Sequence, residues 1–261
     1  MSFRIVYLVG TIHLNGNVIP SSPRNVYSYS AAISACENAS EWQQAFALFE
    51  TMQQAQATPN AVVFNALISA CKSQWQLAVH WFQEMPNALH DVITYATSIS
   101  SCEKGGQWQH ALFLFHQMPR AQLQPNQITY NATISACEKG GQSRQAMKLF
   151  EEMPMSRVQP DVVTYNALIS AFEKGGQWEH GLDIFASMHE VQLQHDVISY
   201  SAVISAAEKG QQWQLALLLF RTMLRLQLRN DIISHRAAIR ACHRAQQWQM
   251  LLMLSELPES G

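Results

Sequence analysis

Five cysteines and ten histidines are the residues of this chain best suited to hold a metal or to act on a substrate. Neither set converges. Cys36, Cys71, Cys102, Cys137 and Cys242 stand 35, 31, 35 and 105 residues apart. No C-x-x-C brings two thiolates onto one ion, as tetrahedral zinc sites commonly do. No histidine is followed by x-Glu, so the H-x-E of a zinc deaminase is missing, as is its P-C-x-x-C. H-E-x-x-H and G-x-x-x-x-G-K-[ST] are absent too. The sequence therefore predicts no metal, no cofactor, no small-molecule substrate and no catalysis. One charged set does recur: Lys104, Lys139, Lys174, Lys209 and Arg244, each 35 residues from the last. A repeated column of cations can track a phosphate backbone. A cation in the last turn of a helix is also favourable for its own sake.

Spacing of this kind belongs to repeats, and the rest of the chain agrees. Tryptophans fall at 42, 75, 108, 178, 213 and 248, with Ser143 in the one skipped slot. Methionines fall at 52, 85, 118, 153, 188 and 223. Counted from the residue before each V-T-Y-N-like motif, seven units emerge: 26–60, 61–91, 92–126, 127–161, 162–196, 197–231 and 232–261. The second is four residues short. Its gaps lie between Cys71 and Trp75 and between Met85 and Asp91, where loops are expected to absorb them. All five cysteines occupy position 11, which also accepts Phe172 and Ala207. That is a core slot, and its copies in stacked layers stand about 10 Å apart, too far for a disulfide. Free buried thiols suit a reducing compartment.

Each unit reads as a helical hairpin. In 162–196, Tyr165, Leu168, Ile169 and Phe172 form one apolar face of a helix expected over about Thr164 to Lys174. Gly175-Gly176 ends it, glycine being the cheapest left-handed cap. A second helix is expected from about Gln177, with Trp178, Gly181, Ile184, Phe185 and Met188 along one side. The tryptophans are expected between helices, as core rather than stacking platforms. No such hairpin buries its own faces, so the units must stack. The fold expected is all-α, an α-solenoid superhelix of about seven 35-residue helix-turn-helix repeats, right-handed and hollow on one side. Residues 1–25 stay unassigned. Phe3 to Ile12 is apolar but too short to span a membrane. It reads as a weak signal-peptide core or, more in keeping with the array, a displaced piece of an earlier repeat. It lacks the Arg-rich, Ser-rich character of a transit peptide. The abrupt end at Gly261 suggests a fragment of a longer factor.

The 35-residue period, the V-T-Y-N-x-L-I opening and the P-D ending resemble the pentatricopeptide repeat family. The phrase VVTYNALISAFEKGGQWEHGLDIF at 162–185 carries the resemblance best, and it covers about 26–261. The W-x2-L-G-x2-Y helix of tetratricopeptide units is absent. The resemblance implies single-stranded RNA read one base per repeat, in a mitochondrion or chloroplast, by a monomer acting as an adapter for RNA-processing proteins. It assigns base recognition to positions 5 and 35: Ser30 with Asn60, Asn65 with Asp91, Ala96 with Asn126, Asn131 with Asp161, Asn166 with Asp196, and Ser201 with Asp231. Amides, hydroxyls and carboxylates offer distinct donor and acceptor sets to a base edge. The implied reading is A, U, unreadable, U, U, G from the 5′ end. Ala96 cannot hydrogen-bond, the short second unit puts the placing of Asp91 in question, and Arg236 leaves the seventh unit unreadable. Helix capping alone is the competing role for the position-35 residues.

The resemblance assigns base stacking to position 2, held by Tyr27, Val62, Ile93, Ile128, Val163, Ile198 and Ile233. Ordinary core packing is the competing role. It assigns phosphate contact to position 13, the Lys104, Lys139, Lys174, Lys209 and Arg244 column, with Asn38 in the first unit and Lys72 its nearest equivalent in the short one. Against RNA stand a net charge of −2, a pI near 6.5 and the neighbouring Glu37, Glu103, Glu138, Glu173 and Glu208. These favour the rival function, a protein-binding scaffold.

Overall fold

The computed structural model describes residues 12–14, 17–19, 26–39, 41–228 and 231–247. Among them are thirteen α-helices: α1 Val26–Ala39, α2 Trp42–Gln54, α3 Ala61–Ala70, α4 Trp75–Glu84, α5 Val92–Lys104, α6 Trp108–Gln117, α7 Gln127–Lys139, α8 Ser143–Met155, α9 Val162–Lys174, α10 Trp178–Glu190, α11 Val197–Lys209, α12 Trp213–Arg225 and α13 Ile232–Arg244. Odd-numbered helices open the units and even-numbered ones close them. Each odd helix packs on the even helix after it and on the next odd helix; each even helix also touches the odd helix that follows. Even helices make no comparable contact with one another. The odd helices thus form a continuous inner wall and the even ones an outer, separated row. This is an α-solenoid. The Trp248 slot and the close of the seventh unit lie outside the described residues.

The odd helices start where the chain offers a cap. Asn60, Asp91, Asn126, Asp161, Asp196 and Asp231 each accept the backbone N–H three residues on. For α5, α7, α9 and α11 the Thr or Ser at that third residue bonds back to the N-cap amide, closing a capping box. The cap explains why α9 begins at Val162, two residues before the apolar periodicity predicts. The helix ends need two different glycines. Gly106, Gly141 and Gly176 sit at φ of +67°, +65° and +71°, the left-handed region glycine enters without strain. Gln211 and Gln246 hold the same turn at 59° and 57°. Gly105, Gly140 and Gly210 have ordinary negative φ; what fixes them is an indole. A methyl on Gly105 would stand 2.7 Å from Trp75 Cγ, and one on Gly140 2.7 Å from Trp108 Cγ. The tryptophans are half-buried at the seams between units rather than deep within one hairpin. Where Ser143 replaces the indole, its hydroxyl donates to Gln177 Oε1 across the same seam at 2.6 Å.

The core is continuous through the array. Met52, Met85, Met118, Met153, Met188 and Met223 are all buried, the flexible thioether filling each hairpin. Phe82, Phe115, Phe150 and Phe185 meet Tyr95, Tyr130, Tyr165 and Tyr200 of the following unit edge-on, at centroid distances of 5.0, 4.8, 5.0 and 5.1 Å. Such pairs contribute about 0.5–1.5 kcal/mol each beyond their buried area, so unit is bound to unit by a repeated term. The five cysteines are free and buried. Burial pushes the thiols of Cys71 and Cys102 up to about 11 and that of Cys137 to about 12.

Two expectations are corrected. The first gap of the short unit is taken from a helix, not a loop: α3 spans 10 residues where α5 spans 13. The second is taken up by a 3-10 turn at Asn87–Leu89, closed by His90 Nε2 against the Phe82 carbonyl at 3.1 Å. Before the array, Ile12–Leu14 (β1) and Asn17–Ile19 (β2) pair as an antiparallel hairpin, Ile12 opposite Ile19. Ile12, the one described residue of the apolar stretch, is therefore in a strand and not in a remnant helix. Asn15-Gly16 between the strands is a strong hairpin signal.

Candidate nucleic-acid interface

Positions 2, 5, 9 and 13 of an α-helix share one face. On the odd helices that face looks away from the even helices, so the same four slots line the inner wall from unit to unit. Position 2 is exposed throughout: Val62, Ile93, Ile128, Val163, Ile198 and Ile233 lie between 56% and 63% accessible, and Tyr27 is at 78%. Core packing is thus excluded for this column. Six branched aliphatic side chains, evenly spaced and unburied, present flat apolar edges to whatever lies in the groove.

Positions 5 and 35 are brought together by the stacking. Asn131 Nδ2 donates to Asp161 Oδ1 at 3.1 Å. Asn166 Nδ2 donates to both oxygens of Asp196, at 3.1 and 3.2 Å. The Ser201 hydroxyl reaches Asp231 Oδ2 at 2.8 Å. Asn65 and Asp91 meet through a third group, the Thr94 hydroxyl, 2.8 Å from each. The short unit therefore leaves Asp91 in place. Ser30 does not join Asn60; it donates to the Tyr27 carbonyl of its own helix at 3.0 Å. Ala96 offers Asn126 nothing. All six position-35 residues cap the next helix, and four of them also meet their position-5 partner.

Position 3 of the following unit belongs to this network, a role that the sequence analysis does not assign to it. Thr164 Oγ1 stands 2.6 Å from Asn131 Oδ1 and 2.8 Å from Asp161 Oδ1. Thr94 does the same for Asn65 and Asp91. Ser199, in the equivalent slot, reaches Asp196 Oδ1 at 2.7 Å and its carbonyl at 3.2 Å, but not Asn166. Asn166 Oδ1 is consequently buried without a hydrogen-bond partner. The D-x-x-[TS] spacing was the signal available for these hydroxyls. Around Asp196, burial raises the carboxyl pKa, but the bonds from Ser199, Asn166 and Ile198 outweigh it and hold the group below its usual value.

The cation column is largely spoken for. Lys139, Lys174 and Lys209 reach Glu103, Glu138 and Glu173 of the preceding unit at 2.7, 2.8 and 2.8 Å. Arg244 reaches Glu208 at 2.9 Å. Lys104 is exposed and has no acidic partner among the described residues, since the preceding short unit carries Lys72 where the third to sixth units carry glutamate. Exposed pairs of this kind contribute about 0–1 kcal/mol, but each cancels a charge the groove would otherwise show. Among the described residues no cluster of His, Cys, Asp and Glu could hold a metal, and no helix is long and apolar enough to cross a membrane.

Known proteins share this architecture. The crystal structure of the pentatricopeptide repeat protein PPR10 from maize superposes with a TM-score of 0.70 at 23% identity, covering 88% of this chain and 34% of that one. PPR10 in complex with an 18-nt psaJ RNA element gives 0.60 at 18% identity, over 88% of this chain and 39% of that one. The PPR domain of Arabidopsis thaliana protein-only RNase P 1, in complex with tRNA, gives 0.50 at 12% identity, over 86% and 98%. The chain thus spans about a third of the length of the first of these. No curated protein matches it significantly. The PPR repeat family matches residues 24–73, 90–139, 125–174 and 160–207, and a single PPR repeat matches 198–228. With more than half the sequence matched, and with helices, caps and seams recurring in that register, the chain belongs to the PPR repeat family.

Proposed function

We propose that the inner wall binds single-stranded RNA, one base per repeat, and that the chain acts without chemistry of its own. One observation carries the reading: the exposed ladder Val62, Ile93, Ile128, Val163, Ile198 and Ile233. An apolar side chain repeated at one exposed slot costs solubility unless something flat covers it, and every base has an apolar face. The hydrogen-bonded pairs at positions 5 and 35 lie one helical turn away, where a base edge would fall. RNA and tRNA complexes of PPR10 and of the RNase P domain support the reading. In this reading the chain is an adapter in organellar RNA metabolism, serving transcript stability, splicing, editing or translation. It needs no cofactor and works as a monomer beside RNA-processing proteins.

The paired lysines favour one rival, a protein-binding scaffold, because they leave little free positive charge along most of the wall. Fluorescence anisotropy separates the two. A labelled RNA containing AUNUUG is titrated against a scrambled RNA and the matching DNA across a range of salt. Preference for the designed RNA, reduced by Asn166→Ala, is the expected result. Equal, salt-sensitive binding to all three removes base readout. Absence of binding at low salt removes RNA as the ligand.

A further inference from the structure

The last described helix departs from the others on the wall-facing side. Position 5 of the preceding six units holds Ser, Asn or Ala, and position 9 holds serine in all six, from Ser34 to Ser205. In α13 these slots are Arg236 and Arg240, and position 13 is Arg244. At i, i+4 and i+8 the three guanidiniums fall on one stripe of the helix, spanning about 12 Å from wall floor to wall edge. At Lys139, Lys174 and Lys209 a position-13 lysine meets one glutamate and the two charges cancel, and Lys104 stands alone as a single charge. Here Glu208 faces two arginines: Arg240 donates through Nε and Nη2 at 3.2 and 3.0 Å, and Arg244 Nη1 forms an ion pair with its other oxygen at 2.9 Å. Arg236 is exposed and has no acidic partner among the described residues. Three positive charges against one negative leave an excess of two, in a chain whose net charge is −2.

The arrangement is built rather than scattered. The Glu208 side chain is only 5% accessible, while Arg240 and Arg244 are 50% and 57% accessible. A buried carboxylate thus anchors two guanidiniums whose far sides stay open. Each guanidinium has five N–H donors. Glu208 occupies two on Arg240 and pairs with one nitrogen of Arg244; among the described residues the other donors, and those on Arg236, face no acidic partner. Planar, forked donors of this kind match phosphate oxygens in pairs. Exposed Ile233 lies one turn before Arg236 on the same face.

We infer that Arg236, Arg240 and Arg244 form a phosphate-binding site that anchors the RNA at the C-terminal end of the described wall, independently of base sequence. This rests on the RNA reading above. It gives the seventh unit a role: its position 5 holds the strand rather than reading a base. The ligand is a phosphate, either a diester within the strand or a phosphate at its end.

The test is the salt dependence of RNA affinity for the full chain. Arg236→Gln is the informative substitution, because the residue is exposed and has no acidic partner among the described residues, so its loss strands no buried charge there. Each phosphate contact to a single strand contributes about 0.7 to the slope of log affinity against log salt. Arg236→Gln is expected to lower that slope by about 0.7, equally for the AUNUUG and scrambled RNAs. Arg236→Lys should restore most of the slope, and Lys174→Gln, its ammonium held by Glu138, should change it less. RNAs extended by one nucleotide, or by a bare phosphate, at each end in turn identify the source. A gain from the nucleotide assigns a diester and a gain from the bare phosphate assigns an end group. Either gain must vanish in Arg236→Gln. If the unsubstituted chain binds RNA and Arg236→Gln keeps its slope, the site is refuted and the RNA reading stands. If the unsubstituted chain binds no RNA, both fall.

Discussion

Gly140→Ala tests the seam between units, and its cost follows from the geometry. Gly140 has a φ of −82°, which alanine adopts freely. On backbone grounds alone, replacing a glycine there stabilises by about 0.4–1 kcal/mol, because the unfolded chain loses freedom. The new methyl, however, would stand 2.7 Å from Trp108 Cγ. Forcing a methyl into a filled site costs about 1–3 kcal/mol. Overpacking therefore wins, and the variant should lose about 1–2 kcal/mol. Gly175 is the internal control. Its φ is −74°, and the nearest atoms to a methyl there are Ser143 Oγ at 3.1 Å, the Ala171 carbonyl at 3.2 Å and Ser143 Cβ at 3.4 Å, none as close as the indole is to Gly140. Gly175→Ala should be neutral to within about 0.5 kcal/mol, since the freed backbone term offsets a small shift of the serine. The double variant Trp108→Ser with Gly140→Ala recreates the Ser143 seam, so alanine at 140 should cost less in it than beside the indole. Urea unfolding followed by far-UV circular dichroism reads the parent, Gly140→Ala, Gly175→Ala, Trp108→Ser and the double variant. Repeat arrays need not unfold in one step, so midpoints are compared first. If Gly140→Ala unfolds no earlier than Gly175→Ala, the indole does not dictate the glycine and the seam has been misread.

Three further outcomes are expected. Ile198→Ser should leave the unfolding midpoint within about 0.5 kcal/mol of the parent, as for other exposed sites, yet weaken RNA binding in anisotropy; a large loss of stability would mean the ladder packs against protein. Asp196 is held below its usual pKa, so its contribution is complete above the unfolded value near 3.9 and is lost as pH falls through the lower folded value. Asp196→Asn keeps a competent cap, as Asn126 shows, and should flatten the acid limb of a stability–pH profile below about pH 4. Cys71, Cys102 and Cys137 should resist a disulfide reagent at pH 8 in the folded protein, because burial keeps them protonated and covered, and all five cysteines should react at once in urea; rapid native labelling would contradict the core placement of position 11.

Periodicity made the array legible. Helices, the Met column and the Cys slot follow from spacing, because stacking demands the same burial at the same position every time. Ambiguity arose where one residue type serves two physical roles. A valine or isoleucine in the first turn of a helix suits core and groove equally, and only the packing of odd helices on one another put Ile93 and Ile198 outside. The glutamates beside the lysines looked like local dilution of charge. Neighbours i and i+1 do not face each other on a helix, and the real partner of Lys174 is Glu138, 36 residues earlier and one layer away. Gly105 and Gly140 cap their helices and also clear space for an indole contributed by the previous unit, a demand that a single unit does not show. The Thr164 and Thr94 hydroxyls reach a side chain of the preceding unit, a contact that the sequence of one unit does not contain. In each case the missing information was the relation between layers, which a single unit does not contain.

The separation of the even helices has a mechanical consequence. Cohesion runs along the inner wall and diagonally to the following unit, while the outer row carries little of it. A stack fastened along one edge behaves like a coil spring whose inner edge keeps its length while the outer gaps open or close. Pitch is then the soft coordinate and contour length along the wall the stiff one. A polymer lying on the stiff edge meets a ruler of fixed graduation, whatever the winding of the coil around it.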